Sequence, residues 1–259
     1  MEQVKKIQIL RWKEKEMEDL EDIVVTEYPL TIFINGEEFI TLLCSPKGLK
    51  YLTLGFLISE GLIKSRMELP VIHIDEIKGH AFVELTGAID FTRKLYGKRT
   101  ITTGCGKGSI FYNVLDSLGS NRIVSDVTIR AEKLLEYSRW LNEKSSLFLD
   151  TGGAHSCALF DGSGVLLFHE DVGRHNALDK IIGEAYFSEI PLEDKILVTS
   201  GRISSEMIIK AIKNRIPIIV SRSAPTDLSV SMASQFNVTL VGFARGHRMN
   251  VYHGHERII

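Results

Sequence analysis

Residues 164–201 read GVLLFHEDVGRHNALDKIIGEAYFSEIPLEDKILVTSG and contain the clearest fold signal in the sequence. It starts with an apolar, strand-like run, continues with a helical pattern over residues 174–187, and ends in KILVTSG at 195–201. The last run is nearly all apolar, which is typical of a strand that is covered on both faces. The stretch therefore predicts strands that alternate with helices, as in α/β proteins.

The alternation continues on both sides of this stretch. Upstream, residues 130–145 form an amphipathic helix, and HSCALFD at 155–161 is a strand that a turn joins to residues 164–172. Downstream, the patterns are a helix at 204–215, a strand at 216–223, a helix at 226–237 with Thr226 as N-cap, and strands at 238–245 and 248–254. The order β-β-α-β-α-β-α-β-β predicts a three-layer α/β sandwich on a mostly parallel sheet.

This order is similar to that of the cytidine-deaminase-like fold, in which H-x-E at one helix start and P-C-x-x-C at the next hold zinc. The corresponding joints here carry His175 and Ser200-Gly201, and no cysteine follows KILVTS. Zinc requires three or four N, S or O ligands that lie close together. The sequence therefore predicts a deaminase-like scaffold that holds no zinc.

The first half of the chain predicts a smaller α+β subdomain. Residues 29–44 contain two β-rich runs around Asn35-Gly36, which is a strong hairpin signal. Residues 49–63 have helical spacing with Gly61 as a stop, and residues 71–77 and 80–86 read as a further strand pair. We expect residues 1–128 to form this subdomain and residues 129–259 to form the deaminase-like α/β domain.

Composition excludes several classes of protein. The chain has 259 residues and a net charge of −2, so nothing in its overall charge favours nucleic acid. The N-terminus lacks the apolar core of a signal peptide, and no stretch of about 18 apolar residues occurs, so we expect no membrane segment. Three widely spaced cysteines do not form a disulfide framework, which favours a reducing cytoplasm.

Three strand-to-helix joints, at residues 170–175, 199–204 and 221–226, carry small or hydroxyl residues together with an arginine. A helix N-terminus offers free N–H groups and a positive dipole end, and an arginine adds a bidentate phosphate donor. No Walker A or G-x-G-x-x-G motif follows a strand, so the joints predict a different phosphate or nucleotide site at one sheet edge. The residues predicted to line it are Gly153, His155, Asp171, Arg174, His175, Ser200, Gly201, Arg202 and Ser223.

The three cysteines differ in their surroundings. Cys44 and Cys157 lie in apolar, strand-like runs and are interpreted as packing residues. Cys105 lies between glycines in TTGCGKGS (102–109), and residues 90–109 hold five basic residues against one acidic residue. Nearby cations stabilise a thiolate and make it nucleophilic. Taken alone, this pattern leaves open whether Cys105 is reactive or incidental.

Seven blocks of sequence, in one order along nearly the whole chain, resemble the FdhD/NarQ family. EDVGRHNALDK at 170–180 is the most specific of them. The others are PLTIFINGEEF (29–39), LTLGFLISEGLI (52–63), TGGAHSCALF (151–160), TSGRISSEM (199–207), SRSAPTDLSVSMA (221–233) and TLVGFARGHRMNVY (239–252).

The resemblance implies a sulfur carrier, and therefore a sulfurtransferase, that matures formate dehydrogenase. Such a protein accepts persulfide sulfur from a cysteine desulfurase, here on Cys105. It delivers the sulfur to the molybdenum or tungsten of the bis(molybdopterin guanine dinucleotide) cofactor, which it binds as a substrate through its GDP-like moieties. The resemblance also implies a deaminase-like fold and a homodimer. It assigns the cofactor's nucleotide to a Phe-x-Arg-x-x-Arg-type segment, here Phe243, Ala244, Arg245, Gly246, His247 and Arg248.

One position departs from the family's pattern. The family's loop commonly reads Cys-x-x-Cys, and here it reads Cys105-Gly106-Lys107-Gly108. A single thiolate is sufficient to hold one sulfane sulfur, but no neighbouring loop thiol can resolve the persulfide. An alternative is therefore a non-catalytic chaperone that binds and delivers the cofactor. A cysteine hydrolase with His155 or His175 as its base is a third reading, but no family signature of that kind is present.

Overall fold

The computed structural model describes residues 1–63, 69–85 and 122–259. Its strands are β1 (Val4–Lys13), β2 (Glu16–Val25), β3 (Tyr28–Ile34), β4 (Glu37–Cys44), β5 (Val71–Asp75), β6 (His80–Glu84), β7 (His155–Phe160), β8 (Val165–Asp171), β9 (Ile196–Thr199), β10 (Ile218–Ser221), β11 (Thr239–Arg245) and β12 (Arg248–His253). Its helices are α1 (Leu49–Glu60), α2 (Ala131–Lys144), α3 (Ser146–Thr151), α4 (Arg174–Phe187), α5 (Ser205–Lys213) and α6 (Asp227–Phe236).

The second half is built on a six-stranded sheet in the order β12-β11-β10-β9-β7-β8. The order of strands and helices expected from the sequence is confirmed, and the fold is of the mixed α/β kind. The expectation of a mostly parallel sheet needs correction, because only the β9–β10 and β10–β11 pairings are parallel. The physical reason is that short turns join β7 to β8 and β11 to β12, and a short turn can only join antiparallel neighbours.

Helices cover both faces of this sheet and give three layers. On one face α4, α5 and α6 pack against the alternate residues Cys157, Leu159, Leu197, Ile219 and Leu240. On the other face α2 packs against the residues between them, among which are Ala158, Phe160, Val198, Val220 and Val241. Apolar residues on both sides of each central strand explain why β9 and β10 read as unbroken apolar runs.

The first half contributes a four-stranded sheet in the order β4-β3-β6-β5. The Asn35-Gly36 turn has positive φ at both positions, 50° and 87°, as a tight hairpin between antiparallel strands requires. Helix α1 ends at Gly61 in the left-handed conformation, as the sequence predicts. The inner face of this sheet and α1 share one hydrophobic core with α4, α5 and α6.

Two glycines allow α1 and α4 to touch backbone to backbone. A Cβ on Gly55 would lie 1.8 Å from the carbonyl oxygen of Asp179, and a Cβ on Gly183 would lie 2.0 Å from that of Tyr51. Neither position has room for any side chain. This contact fixes the distance between the four-stranded sheet and the α/β layers.

Two elements were not expected from the sequence. Strands β1 and β2 form a separate two-stranded sheet, here called the N-terminal arm (residues 4–25), and α3 follows α2 directly. The arm lacks the Asn-Gly turn that normally reveals a hairpin. The division of the chain at residues 128 and 129 stays a prediction.

Replacing Gly183 with alanine should lower the free energy of unfolding by at least about 2 kcal/mol, because the new methyl group forces α1 and α4 apart. Urea denaturation measures the effect. Gly162→Ala is the matched control, since a Cβ there meets nothing within 4 Å. Equal stability of the two variants would contradict the glycine contact.

Candidate anion-binding site at the sheet edge

The predicted joints converge on one edge of the six-stranded sheet. Strands β8, β9, β10 and β11 run in the same direction, so their carboxyl ends share that edge. Strand β7 runs the opposite way, and its first residue, His155, therefore lies at the same edge. Ser156 and Ser200 are joined there by two hydrogen bonds: the Ser156 N–H donates to the Ser200 Oγ, and the Ser200 N–H donates to the Ser156 carbonyl, both at 2.9 Å.

Arg174, His155 and Gly201 meet at the centre of this edge. A Cβ on Gly201 would lie 3.0 Å from the Cβ of Arg174 and 3.4 Å from the Nδ1 of His155. The small residue at 201 therefore lets both side chains lie against the loop backbone. The sequence predicts all three as site residues, and the structure brings them together. Gly153 lies nearby at the start of β7, in contact with Val25 of the N-terminal arm.

Arg174 has an incomplete set of partners. Its Nε is buried and has no hydrogen-bond acceptor in the part of the chain that the structure describes. Burial and the positive charge of Arg202 lower the pKa of Arg174, and Glu206 opposes this effect. Two guanidinium groups that interact electrostatically with each other favour an anion between or beside them.

A second arginine pair lies further along the same edge. Burial and the positive charge of Arg245 lower the pKa of Arg222, and the Arg245 Nε donates to the Arg222 carbonyl. The backbone N–H of Phe243 donates to the Ser223 carbonyl at 3.0 Å, and Phe243 has a positive φ of 52° where β11 departs from regular pairing. We call Arg174, Arg202, Arg222 and Arg245 the arginine edge.

The rest of the predicted segment 243–248 has mixed exposure. Arg245, Gly246, His247 and Arg248 are exposed around the β11–β12 turn. Ala244 is buried in the core beneath α2, and its carbonyl accepts a hydrogen bond from the Ser138 Oγ. Ala244 therefore supports the segment from below, while the arginines and His247 face outward.

Both histidines of the edge are neutral at pH 7. Burial, followed by the positive charge of Arg174, lowers the pKa of His155. Burial and the cations Lys210 and Arg174 lower the pKa of His175 to about 3. The His175 Nε2 lies 3.1 Å from a Glu206 carboxylate oxygen, and a neutral ring can donate a hydrogen bond there. These imidazoles can therefore serve as hydrogen-bond donors or acceptors without adding charge.

Asp171 differs from its neighbours because its carboxylate is fully enclosed. One oxygen accepts from the Gly173 N–H at 2.9 Å and the Asn176 amide at 2.8 Å. The other accepts from the Ser45 N–H at 3.0 Å and pairs with the Lys180 ammonium at 2.6 Å. With its side chain 0% exposed, Asp171 shapes the loop that carries Arg174 and His175.

The carboxylate of Glu170, next to Asp171, is also occupied by hydrogen bonds. Its carboxylate accepts from the backbone N–H groups of Leu147 and Phe148 at the start of α3, and from the Ser156 Oγ. The acidic pair at 170 and 171 is therefore occupied by its own hydrogen bonds and ion pair, and the acidic group that acts on Arg174 is Glu206.

Two of the three cysteines are buried thiols. Cys44 and Cys157 are both 0% exposed. Burial raises the pKa of each to about 12. Cys44 donates to the Tyr28 carbonyl and Cys157 to the Thr199 hydroxyl. Cys105, the predicted reactive residue, lies outside the described residues.

Several residues of the candidate site are not among those that the sequence predicts. Arg222 lies in a predicted joint of which only Ser223 was chosen as a site residue. Glu206 and Lys180 lie inside helices, where charged residues usually signal a solvated face. Lys180 could have been noticed because it lies between the apolar pairs Ala177-Leu178 and Ile181-Ile182, which indicates a buried part of the helix.

The comparisons with known proteins agree with this architecture. Residues 25–259 match the model of the FdhD/NarQ family. This chain belongs to that family. It is 44% identical to a protein of Bacillus pumilus over 98% of this chain and 97% of the relative, and 42% identical to one of Bacillus subtilis over 96% and 95%. Both relatives carry the name sulfur carrier protein FdhD.

A solved structure has the same fold. It is described as a candidate formate dehydrogenase accessory protein from Desulfotalea psychrophila, and it matches with a TM-score of 0.82 and 24% identity over the full length of both chains. In the described part of this chain no helix is both long and apolar enough to cross a membrane.

The free energy of unfolding should decrease as the pH falls from about 6.5 towards 3, with His175 contributing a slope of up to about 1.4 kcal/mol per pH unit. The sign follows because the unfolded chain binds a proton near pH 6.5, while the folded chain resists it until about pH 3. Urea denaturation across this range tests the expectation.

His175→Gln should flatten the slope, whereas His247→Gln, at an exposed position of the β11–β12 turn, should leave it as in the parent protein. Parallel curves for the parent and His175→Gln would contradict a neutral His175.

Proposed function

We propose that this protein is a sulfur carrier with sulfurtransferase activity that matures formate dehydrogenase. It accepts a sulfane sulfur on Cys105 from a cysteine desulfurase and passes it to the molybdenum or tungsten of a bis(molybdopterin guanine dinucleotide) cofactor. Membership of the FdhD/NarQ family and the names of the relatives at 42–44% identity support the sulfur-carrying role. The protein acts in the cytoplasm, and a deaminase-like sandwich is the proposed description of its α/β layers.

The observation that carries the assignment to Cys105 is the state of the other two thiols. The chain has three cysteines, and Cys44 and Cys157 are buried thiols with pKa values raised to about 12. Thiolate is the nucleophilic form, so neither buried residue is suited to attack a persulfide at neutral pH. They are equally unsuited to attack a persulfide on Cys105 and release its sulfur. Neither can therefore take the place of the second loop cysteine, which is Gly108 in this chain. Sulfur chemistry therefore falls to Cys105.

The first transfer balances without a further reagent. The Cys105 thiolate attacks the terminal sulfur of the desulfurase persulfide, a new S–S bond forms on Cys105, and the desulfurase cysteine leaves as a thiolate. In the second transfer the outer sulfur of the Cys105 persulfide would pass to the metal of the cofactor substrate. The S–S bond breaks, Cys105 leaves as a thiolate, and the reduced metal supplies the two electrons that convert the sulfane sulfur into a sulfido ligand.

The arginine edge supports recognition of the cofactor through its diphosphates. Arginine is suited to bidentate phosphate contacts, and the two pairs provide four guanidinium groups with few acidic neighbours. The neutral histidines add hydrogen bonds without changing the charge. The cofactor carries two guanine dinucleotides. These suit either the two arginine pairs of one chain or a site that two copies of the chain complete.

The alternative function is a chaperone that binds the cofactor and delivers it without sulfur transfer. The absence of a second cysteine at Gly108 favours this reading, and the arginine edge is compatible with both. The two functions differ only in whether Cys105 is needed.

After incubation with a cysteine desulfurase and cysteine, the protein should gain about 32 Da, the mass of one sulfur, on Cys105. Cys105→Ala should lose both this adduct and the ability to activate formate dehydrogenase. Intact-protein and peptide mass spectrometry locate the sulfur. Cys44→Ala and Cys157→Ala are the matched controls and should keep it. Activation by Cys105→Ala at the parent level would establish the chaperone instead.

Arg174→Gln and Arg202→Gln should each weaken the binding of GDP by about tenfold, because each removes a charged phosphate donor. Isothermal titration calorimetry measures the affinity. Arg130→Gln is the control, since the Arg130 side chain is 80% exposed and lies beside Glu132 on α2. Unchanged affinity in both edge variants would remove the arginine edge from the nucleotide site.

A further inference from the structure

Helices α4 and α5 are joined near their starts by two pairs of side chains that lie one helical turn apart. His175 and Asp179 on α4 have the spacing i, i+4, and so do Glu206 and Lys210 on α5. The His175 Nε2 lies 3.1 Å from a Glu206 carboxylate oxygen, and the Lys210 ammonium pairs with the Asp179 carboxylate. The start of α4 is therefore fixed against the start of α5 at two successive levels.

The inner pair, Asp179 and Lys210, sets the distance between the two helices. The Asp179 side chain is 2% exposed and that of Lys210 is 13% exposed. The Ser59 hydroxyl also donates to the Asp179 carboxylate at 2.7 Å. Separating a buried ion pair leaves a charge without compensation, so this pair resists movement of α5 away from α4. The outer pair at the sheet edge therefore has a fixed geometry.

The contact with Glu206 determines which nitrogen of His175 carries the proton. The ring is neutral at pH 7 because its pKa is lowered to about 3, and a carboxylate can only accept a hydrogen bond. The hydrogen is therefore on Nε2, which also lies 3.4 Å from the Ser204 Oγ. The Nδ1 then carries a lone pair, and no donor reaches it from the residues that the structure describes. With the side chain 21% exposed, a bound molecule can supply that donor.

This acceptor nitrogen differs in chemistry from the guanidinium of Arg174 beside it. A phosphate oxygen carries lone pairs, so it is attracted by the guanidinium and repelled by the Nδ1 lone pair. The Nδ1 favours a hydroxyl or an N–H group instead. A nucleotide has both kinds of group, because its phosphates accept hydrogen bonds while its ribose hydroxyls and base N–H groups donate them. His175 therefore suits the part of a nucleotide that inorganic diphosphate lacks.

We propose that Glu206 is a positioning residue, which holds the His175 ring so that its Nδ1 accepts a hydrogen bond from a hydroxyl or N–H group of the bound nucleotide. The arginines bind the diphosphate, and His175 distinguishes a nucleotide from inorganic diphosphate. The inference rests on the nucleotide-binding part of the proposed function and assigns to Glu206 a role in its specificity.

The ratio of the affinities for GDP and for inorganic diphosphate tests this role, and isothermal titration calorimetry measures both. Glu206→Ala should lower the ratio by about fivefold, the effect of one neutral hydrogen bond, because the ring is no longer held. Its affinity for inorganic diphosphate should not fall, since the carboxylate that acts on Arg174 has been removed. Glu206→Gln should keep the parent ratio, because the amide oxygen still accepts from the Nε2–H group.

Ribose 5-diphosphate keeps the hydroxyls and lacks the base, so it identifies the donor. If Glu206→Ala weakens its binding as it weakens that of GDP, the donor is a ribose hydroxyl. If only GDP responds, the donor is an N–H group of the base.

Asp227→Ala is the matched control. Asp227 is also an acidic residue in the first turn of a helix at this edge, and it is exposed at the start of α6. Its removal should leave the ratio at the parent value. A ratio that falls as far in Asp227→Ala or in Glu206→Gln as in Glu206→Ala would show a general effect of charge and overturn the positioning role.

Nuclear magnetic resonance of the ¹⁵N-labelled imidazoles gives a second readout. At pH 7 His175 should carry its proton on Nε2, and its Nδ1 resonance should shift on addition of GDP but not of inorganic diphosphate. His175→Gln identifies this resonance among the eight histidines. A proton on Nδ1, or an Nδ1 resonance that GDP leaves unchanged, would overturn the proposal. Neither measurement involves sulfur transfer, so that result would leave the sulfur carrier standing, and loss of the Cys105 adduct would leave the role of Glu206 standing.

Discussion

The ion pair between Lys180 and Asp171 joins the sheet edge that carries the candidate site to the first half of the chain. Both side chains are 0% exposed, and the Lys180 ammonium also donates to the carbonyls of Ser45 and Glu170. The Ser45 N–H donates to the Asp171 carboxylate, and the Ser45 hydroxyl accepts from the Val172 N–H. A buried ion pair adds little net stability, but removing one partner leaves a charge without compensation. Its value lies in geometry, because one network fixes the end of β4, the end of β8 and the start of α4.

The placement of acidic residues explains why the edge is electropositive in a chain whose net charge is −2. Asp171 is neutralised by Lys180, and Glu170 is turned towards the N–H groups of α3. Asp179, also buried, pairs with Lys210 and accepts from the Ser59 hydroxyl. These carboxylates are close in sequence to Arg174, but each is already paired with other groups of the fold. The local potential therefore depends on which partners the fold gives to each acid, and composition alone does not reveal it.

Sequence reasoning was most accurate where the signal is local. Asn35-Gly36, Gly61 and the Thr226 cap each act through the conformation of a few residues, and each is observed. The direction of β7, the partner of Asp171 and the contact between Gly55 and Gly183 depend on residues far apart in the chain. The N-terminal arm was not predicted for the opposite reason. Its turn carries Glu14 and Lys15 with positive φ, where a turn of this kind favours Asn and Gly. Convergence of the joints on one edge followed from the strand order, although the sheet proved to be mixed. The roles of the edge residues and of Cys105 stay predictions.

The glycine contact between α1 and α4 also constrains the order of events during synthesis. Gly55 and Gly183 are separated by about 130 residues, so α1 leaves the ribosome long before its partner helix exists. Until then α1 and the four-stranded sheet can pack only on each other, and the apolar surface that α4, α5 and α6 cover stays exposed. Closing so long a loop is slow compared with forming the local hairpins and helices. The nascent chain therefore exposes this apolar surface until α4 has been made, and aggregation competes with folding during that time.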